Sequence, residues 1–543
     1  MADHEARDAN DVRREVAAAY ARLQIFGQSR ATALYHYLAV AESRLFTAGR
    51  AANPAISHFA VNRQVVESST QAIPAIFRLC PALGGSLGIA PNIFDDAHEL
   101  FDISVGLENV EYCYELSGRG QFVARFEPSE NRIVFAYASD DEGDKDTLLR
   151  STEVLEHITD NPSVDSVSAM MAAVEEVGRV LKPLIVYSAD DAITYSHTPE
   201  LISAMGRWAA LLSDAHNWQF PTTLAFGTTS FSDLRRFWGA ILAISNTHET
   251  AHLMMAQGNP NKWPIASAVH VRAKDEWVQR ILEVSGLSDE TVSQWLSWYT
   301  FDPRIASTSL SLQPFIEIMP QTLAVSGVLL TMASVERNFM RLVSIHPDLR
   351  RYGSTISKAK EQTALAELES LFPQPQYRVR QNVVIQGLTD VDLLVYERST
   401  GFVLAMQHKW FAAPDTLRES ASNDERLQEG VGQAAASSDA FRESHESIRT
   451  ALNILQEDPV GEVEAVVVCR GSEPTGFLGN SQVPIITELA FRRLRSEADS
   501  LPALWSLIVT RPDQREAAES FENGEMSFSL FGYGFVMPAI SIS

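Results

Sequence analysis

Two apolar runs separated by a tight turn most constrain what this chain can fold into. Asp390-Val391-Asp392-Leu393-Leu394-Val395-Tyr396 and Val403-Leu404-Ala405-Met406-Gln407-His408-Lys409-Trp410 flank Ser399-Thr400-Gly401, a pattern that predicts two strands of an antiparallel hairpin. Strand side chains alternate between faces, so Asp390 and Asp392 share one face, Gln407 and Lys409 share one face of the next strand, and His408 and Trp410 point the other way. Gln407 lies 15 positions after Asp392, and the hairpin can bring a carboxylate, an amide oxygen and an ammonium to one point. That set suits a hard divalent cation with a lysine beside it, the chemistry that hydrolyses a phosphodiester. The competing reading is structural: Asp392 brackets an edge strand, Gln407 is solvated and Lys409 sits on a rim.

The flanking pattern bears on the choice. Ala364, Leu365, Leu368, Leu371 and Phe372 recur at helical spacing over 358–372, and Pro373 and Pro375 end the run. Strands are expected at 377–386 and in the two runs above, then a helix at 424–456, a buried strand at 463–469, a helix at 485–497 and a strand at 504–509. The order is α-β-β-β-α-β-α-β. Motif and order together resemble the PD-(D/E)XK nuclease superfamily, in particular the Mrr-like subgroup with Gln in place of the usual Glu. The resemblance covers roughly the C-terminal third.

It implies a restriction-endonuclease-like αβββαβ core and Mg²⁺- or Mn²⁺-dependent hydrolysis of DNA or RNA. In that scheme Asp392 binds the metal, Gln407 contributes its side-chain carbonyl oxygen, and Lys409 orients or deprotonates the attacking water. The family commonly has an acid on the preceding helix. Glu361 precedes Leu365, Leu368 and Phe372 by four, seven and eleven positions and is expected on the core-facing stripe as a fourth member, whereas Glu367 is expected to point away. A first-turn acid favouring the helix dipole is the plain alternative. Gln for Glu removes one negative charge and weakens metal affinity. Proteins that join such a nuclease to a large helical region often serve restriction or anti-phage defence, the setting that the resemblance implies.

The net charge of −25 opposes a simple nucleic-acid binder, whose affinity comes from clustered Lys and Arg. A local basic cluster does exist. Arg350, Arg351, Lys358 and Lys360 lead into the first nuclease helix, and Arg378 and Arg380 follow; these are candidate phosphate contacts, or simply a solvated face. The surrounding acid implies a protein partner, a homo-oligomer or a trigger that brings the site to its substrate.

At 543 residues the chain predicts two to four domains. The expected fold class is multi-domain α/β (α+β), with a largely helical N-terminal part. We read 1–100 as helical, including an amphipathic helix at 10–23. An α/β segment follows at 101–195, with strands at 110–116, 122–126, 133–137 and 182–188 and a turn at Pro128-Ser129-Glu130-Asn131. Residues 196–350 read as a helical domain and 351–543 as the nuclease-like one. The run at 323–333 is too short to span a bilayer and predicts a buried helix. Cys80, Cys113 and Cys469 form no metal or redox spacing, and with no apolar leader they predict reduced thiols in a cytoplasmic protein without membrane association. The apolar stretch 528–537 predicts a last strand or a subunit interface.

A second motif competes. His248-Glu249-Thr250-Ala251-His252 is an H-E-x-x-H sequence that on a helix places two imidazoles one turn apart for Zn²⁺, with Glu249 as base. It has no evident third ligand. Met255 and Gly258 stand where a metzincin needs Gly and His, and Glu276, Glu283 and Glu290 are the downstream acids. Three classes therefore stay open: nuclease, zinc metallopeptidase, and a catalytically silent nucleic-acid-binding or scaffold protein.

Overall fold

The computed structural model describes residues 9–48, 54–82, 87, 91–138, 164–187, 193–215, 220–256, 269–305, 308–332, 335–384, 390–411, 417–470, 483–510 and 521–542. They form a mixed α/β protein of many helices and several small sheets. Among them no helix is long and apolar enough to cross a membrane.

Helices α1 (Ala9–Tyr20), α2 (Arg30–Ala48), α3 (Pro54–Leu79) and α4 (Pro91–Gly118) lead into a hairpin, β1 (Phe122–Glu127) and β2 (Arg132–Tyr137). The expected strand at 110–116 is the last part of α4. Its alternating Val110, Tyr112, Tyr114 and Leu116 mimic a strand, but buried Leu107, Val110, Cys113 and Leu116 follow a three-residue step that belongs to the longer helix. The hairpin forms where expected, from Phe122↔Tyr137 to Glu127↔Arg132.

The middle of the chain holds α5 (Val164–Leu181), β3 (Ile185–Tyr187), β4 (Ile193–Tyr195), α6 (Pro199–Ala215), β5 (Ala225–Phe226), β6 (Thr229–Ser230), α7 (Phe231–Ala256), β7 (Val269–Ala273), α8 (Lys274–Ser285) and α9 (Asp289–Trp298). Then come β8 (Ile316–Met319), β9 (Thr322–Ser326), α10 (Gly327–Met332), α11 (Val335–Ile345) and α12 (Pro347–Arg350). Trp238, Trp277, Trp295 and Tyr299 are fully buried in its core. The region is not purely helical, because β7, β9 and β8 form a sheet in that order. The buried helix expected at 323–333 is strand β9 followed by α10. Ser326 marks the switch, its hydroxyl accepting from Leu329 N at 3.2 Å.

The C-terminal region opens with α13 (Gly353–Glu369), then β10 (Tyr377–Val384), β11 (Asp390–Glu397) and β12 (Val403–Trp410). Next are α14 (Leu417–Glu443), α15 (His445–Leu452), β13 (Val463–Arg470), β14 (Ile485–Thr487), α16 (Glu488–Glu497) and α17 (Leu501–Thr510). The sheet order is β10-β11-β12-β13-β14, antiparallel across the first three strands and parallel across the last three. One face packs on α13, α16 and α17 through Leu365, Leu368, Phe491, Leu494 and Leu504. The other packs on α14 and α15 through Leu427, Val431, Ala434 and Ile448. Two expectations are corrected. The helix at 485–497 begins as strand β14, after which Thr487 accepts from Ala490 N and caps α16. The strand at 504–509 is helix α17, in which Leu501, Leu504 and Ile508 are buried while Val509 faces out, a helical rather than a two-residue period.

The apolar end of the chain is a hairpin, β15 (Phe521–Leu530) and β16 (Tyr533–Ile542). Its turn uses left-handed Phe531 and Gly532, φ 51° and 84°, the backbone twist that two-residue hairpin loops favour. This hairpin does not join the sheet of β10–β14. Strand β16 pairs in parallel with β2, Phe535 opposite Ile133, and completes a sheet of order β1-β2-β16-β15. Thus residues 521–542 belong with 9–137 rather than with 351–510. Gly534 is required there, since a Cβ would lie 2.9 Å from that of Arg132. Phe535 is fully buried, opposite Ile133 and stacked on Phe528 with ring centroids 5.7 Å apart. We expect Phe535→Ala to destabilise the core that β16 shares with β2 by about 3–5 kcal/mol, measured as a lower midpoint of denaturant unfolding.

Candidate active site

The hairpin of β11 and β12 is pinned at its turn. Gly401 has φ 75° and a Cβ there would meet Pro459 O at 2.9 Å, so only glycine fits. Buried Glu397 accepts from Thr400 Oγ1 at 2.9 Å and Leu501 N at 3.0 Å. The register then runs from Tyr396↔Val403 to Leu393↔Met406, which sets Asp392 opposite Gln407 one step further on.

At that step side chains take over from the ladder. Asp392 Oδ2 accepts from His408 N at 2.6 Å, and Gln407 Nε2 donates to Asp390 O at 2.6 Å. Only the amide NH₂ can donate to a carbonyl, so Gln407 Oε1 is the end turned away from Asp390. Gln407 is buried and Asp392 half-buried. Lys409, on the same face, reaches α14, where its ammonium donates to Gln433 Oε1 at 2.8 Å. Burial pushes the Asp392 carboxyl up; the His408 hydrogen bond and the Lys409 charge oppose this, and Glu361 adds to it.

Glu361 therefore stands near Asp392, but not as expected. It is exposed, and the buried residues of α13 are Ile356, Ala364, Leu365 and Leu368. Ile356 packs into the middle core and Leu365 and Leu368 into the sheet, and Glu361 lies between the two contact stretches. Glu367, expected to point away, instead binds Arg470 at 3.1 Å and Arg492 at 2.9 Å.

Sequence reasoning missed Gln433 and Gly430. A Cβ on Gly430 would lie 2.8 Å from Lys409 Cε, so this glycine makes room for the lysine stem. The signal was a glycine inside a helix, where it costs roughly 1 kcal/mol against alanine and calls for a packing reason.

His408 and Trp410 face the other way, as expected. His408 Nε2 lies 3.2 Å from Glu488 Oε2, and Glu488 also receives Arg492 at 2.6 Å. Trp410 stacks on Phe220 of the middle region, ring centroids 5.8 Å apart, with the Arg470 guanidinium 4.4 Å from its ring. Lys360 is drawn into this contact rather than into solvent. Its ammonium lies 5.0 Å from the Trp410 ring and donates to Trp410 O at 3.2 Å. Burial first, then the charges of Arg426 and Arg470, lower it to about 8 against the opposing pull of Glu336. The other basic candidates are dispersed. Arg350, Arg351, Lys358 and Arg380 are exposed and Arg378 half-buried; Arg350 donates to Ser344 O and Arg351 lies over Tyr352.

The H-E-x-x-H segment lies on α7 and is buried, His248 and His252 having Nε2 atoms 3.3 Å apart. The downstream acids lie elsewhere. Glu276 pairs with Arg272 and Glu283 with Arg280, while Glu290 is exposed in the first turn of α9; Gly258 lies outside the described residues. The neighbour that sequence reasoning missed is His270 on β7, stacked on His248 at 4.2 Å. Among the described residues no group of three or more His, Cys, Asp or Glu side chains is placed to hold a metal ion.

No family model matches the sequence, no curated protein is significantly similar to it, and no solved structure matches the fold.

The Glu488 cluster has a pH signature. Burial alone would raise this carboxyl; the His408 hydrogen bond, the Arg470 charge and the Arg492 hydrogen bond outweigh it and hold the group at about 2, below its ordinary 4.5. Its stabilising contribution is complete above pH 4.5 and is lost as pH falls toward 2. Thermal midpoints measured across that window are expected to fall less steeply in Glu488→Gln than in the parent chain.

Proposed function

We propose that residues 353–510 form a metal-dependent nuclease of the PD-(D/E)XK type, with Gln in the place of the usual Glu. The observation that carries this reading is the placement of Asp392, Gln407 and Lys409 on one face where the β11/β12 ladder stops. The element order and the mixed sheet support it. So does the donor set: a half-buried carboxylate, an amide oxygen turned away from its anchor, and a second carboxylate close enough to raise the first. A divalent cation offsets that crowded negative charge.

Asp392 and the Gln407 side-chain oxygen would hold Mg²⁺ or Mn²⁺, with Glu361 beside them. When bound, the cation supplies Lewis-acid polarisation of the phosphate and a more acidic water. The protein's own part is positional. The His408 N–H fixes one Asp392 oxygen, which aims the other. The Asp390 carbonyl fixes the Gln407 amide. Gln433 holds the Lys409 ammonium, which orients the attacking water and stabilises the charge that develops on phosphorus oxygens. Arg380 and Lys358 are exposed cations available to phosphates, and Lys360 is assigned to the Trp410 contact instead.

The test incubates the whole protein with single-stranded DNA, duplex DNA and RNA in Mg²⁺, Mn²⁺ or EDTA, beside Asp392→Ala and Lys409→Ala. Metal-dependent cleavage that falls about 10²-fold or more in both variants is expected; cleavage that survives both substitutions overturns the assignment. Gly430→Ala separates catalysis from folding. The methyl group displaces Lys409 while helix propensity gains roughly 1 kcal/mol, so cleavage is expected to drop with the thermal midpoint kept or raised.

A further inference from the structure

Beyond Met406, β12 loses its partner on one side. The β11 register ends at Leu393↔Met406, whereas β13 stays paired as far as Trp410↔Arg470. Successive residues of a strand turn their backbone N–H and C=O to opposite edges. Val403 N donates to Glu462 O at 2.9 Å and Phe411 N to Arg470 O at 2.8 Å, so the backbone groups of the odd-numbered residues face β13. Those of His408 and Trp410 face the edge that β11 has left.

Two side chains fill that edge. Asp392 Oδ2 accepts from His408 N at 2.6 Å, and Lys360 Nζ donates to Trp410 O at 3.2 Å. Lys360 thus does for a carbonyl what Asp392 does for an N–H, and the residue held between the two anchored positions is Lys409. Lys360 also precedes Glu361 on α13, so the same ammonium ties down the turn of that helix whose acid bears on Asp392. The anchor extends into the middle region. Trp410 stacks on Phe220 with 14° between the ring planes. Phe220 is 3% exposed, and its N–H donates to Glu336 Oε1 at 2.8 Å, a carboxylate whose charge bears on Lys360.

We propose that Lys360 and Phe220 are positioning residues for the Asp392 site: through Trp410 they fix the end of β12 that carries Lys409 and the turn of α13 that carries Glu361, which makes the middle region a working part of the C-terminal site. These roles rest on the nuclease reading, and neither residue touches the metal or the phosphate. Loss of the Lys360 contact frees the Trp410 carbonyl and lets Lys409 and Glu361 move, which harms the chemical step and metal affinity more than the binding of nucleic acid.

The experiment compares the full-length parent with Lys360→Met, Lys360→Arg and Phe220→Leu in steady-state cleavage of the nucleic acid that the parent cleaves. In parallel, Mn²⁺ binding without nucleic acid is followed by the electron paramagnetic resonance of free Mn²⁺. In Lys360→Met, kcat is expected to fall about 10–10²-fold while KM changes by less than about 2-fold, and the Mn²⁺ concentration for half-saturation to rise about 10-fold. Lys360→Arg keeps a charged donor for the carbonyl and a flat group for the indole, and is expected to recover most of both losses. Phe220→Leu keeps apolar bulk; it is expected to move both values in the direction of Lys360→Met, and it decides the question should Lys360→Met not fold. Parental kcat and Mn²⁺ half-saturation in Lys360→Met, or a loss of activity that only follows its folded fraction, overturns the positioning roles, and the nuclease reading stands if Asp392→Ala abolishes cleavage. A parent chain that neither cleaves nor binds Mn²⁺ overturns the nuclease reading and the positioning roles with it. Where Mn²⁺ binds without cleavage, the half-saturation values alone decide.

Discussion

Asp392 accepts the N–H of His408, and the geometry of the candidate site follows from that one hydrogen bond. A backbone N–H at the end of a ladder needs an acceptor, and here a side chain supplies it. The bond ends the pairing of β11 with β12, draws a carboxylate inward and fixes its orientation. Gln407 repeats the arrangement in reverse, its amide bonding the Asp390 carbonyl. Both strands thus give up backbone pairing at the same level, and two oxygen-bearing side chains are positioned by main chain rather than by one another. Such anchoring to a rigid sheet holds functional groups in place better than a loop does.

The reverse face of β12 explains why this geometry is stiff. His408, Glu488, Arg492, Glu367 and Arg470 form a chain of ion pairs that joins β12 and β13 to α16 and α13. Burying Glu488 is unfavourable on its own; three cationic or donor groups around it reverse the balance. Trp410 continues the strand into a stack with Phe220 and a clasp by Arg470 and Lys360. Successive residues of β12 therefore serve opposite purposes, Gln407 and Lys409 facing the open side and His408 and Trp410 the anchored one.

Much of this was legible in the sequence because strand alternation is local. The faces taken by Gln407, His408, Lys409 and Trp410, and the hairpin at 122–137, needed only a period of two. Segments 110–116 and 504–509 were misread because a short apolar run fits a strand or one side of a helix equally, and only the longer window of buried positions decides. Glu361 was misplaced because α13 serves two cores in turn, which periodicity cannot reveal. Gln433 and His270 were invisible for a further reason, since each matters through a residue far away in the chain, and Gly430 showed only as a glycine inside a helix. The destination of β16 was hidden in the same way, since apolar content announces a strand and not its partner.

That destination governs how the molecule comes into being. A polypeptide leaves the ribosome from its N-terminus at about 5–20 residues per second, and β2 is made hundreds of residues before β16. Through all of that time the sheet that begins with β1 and β2 has an open edge where Phe535 and Val536 will sit. Synthesis of both the His248 helix and the Asp392 sheet is complete before that edge is closed. The N-terminal body is thus finished last, and any chain that stops short of residue 533 carries an uncovered strand, an invitation to pair with another molecule.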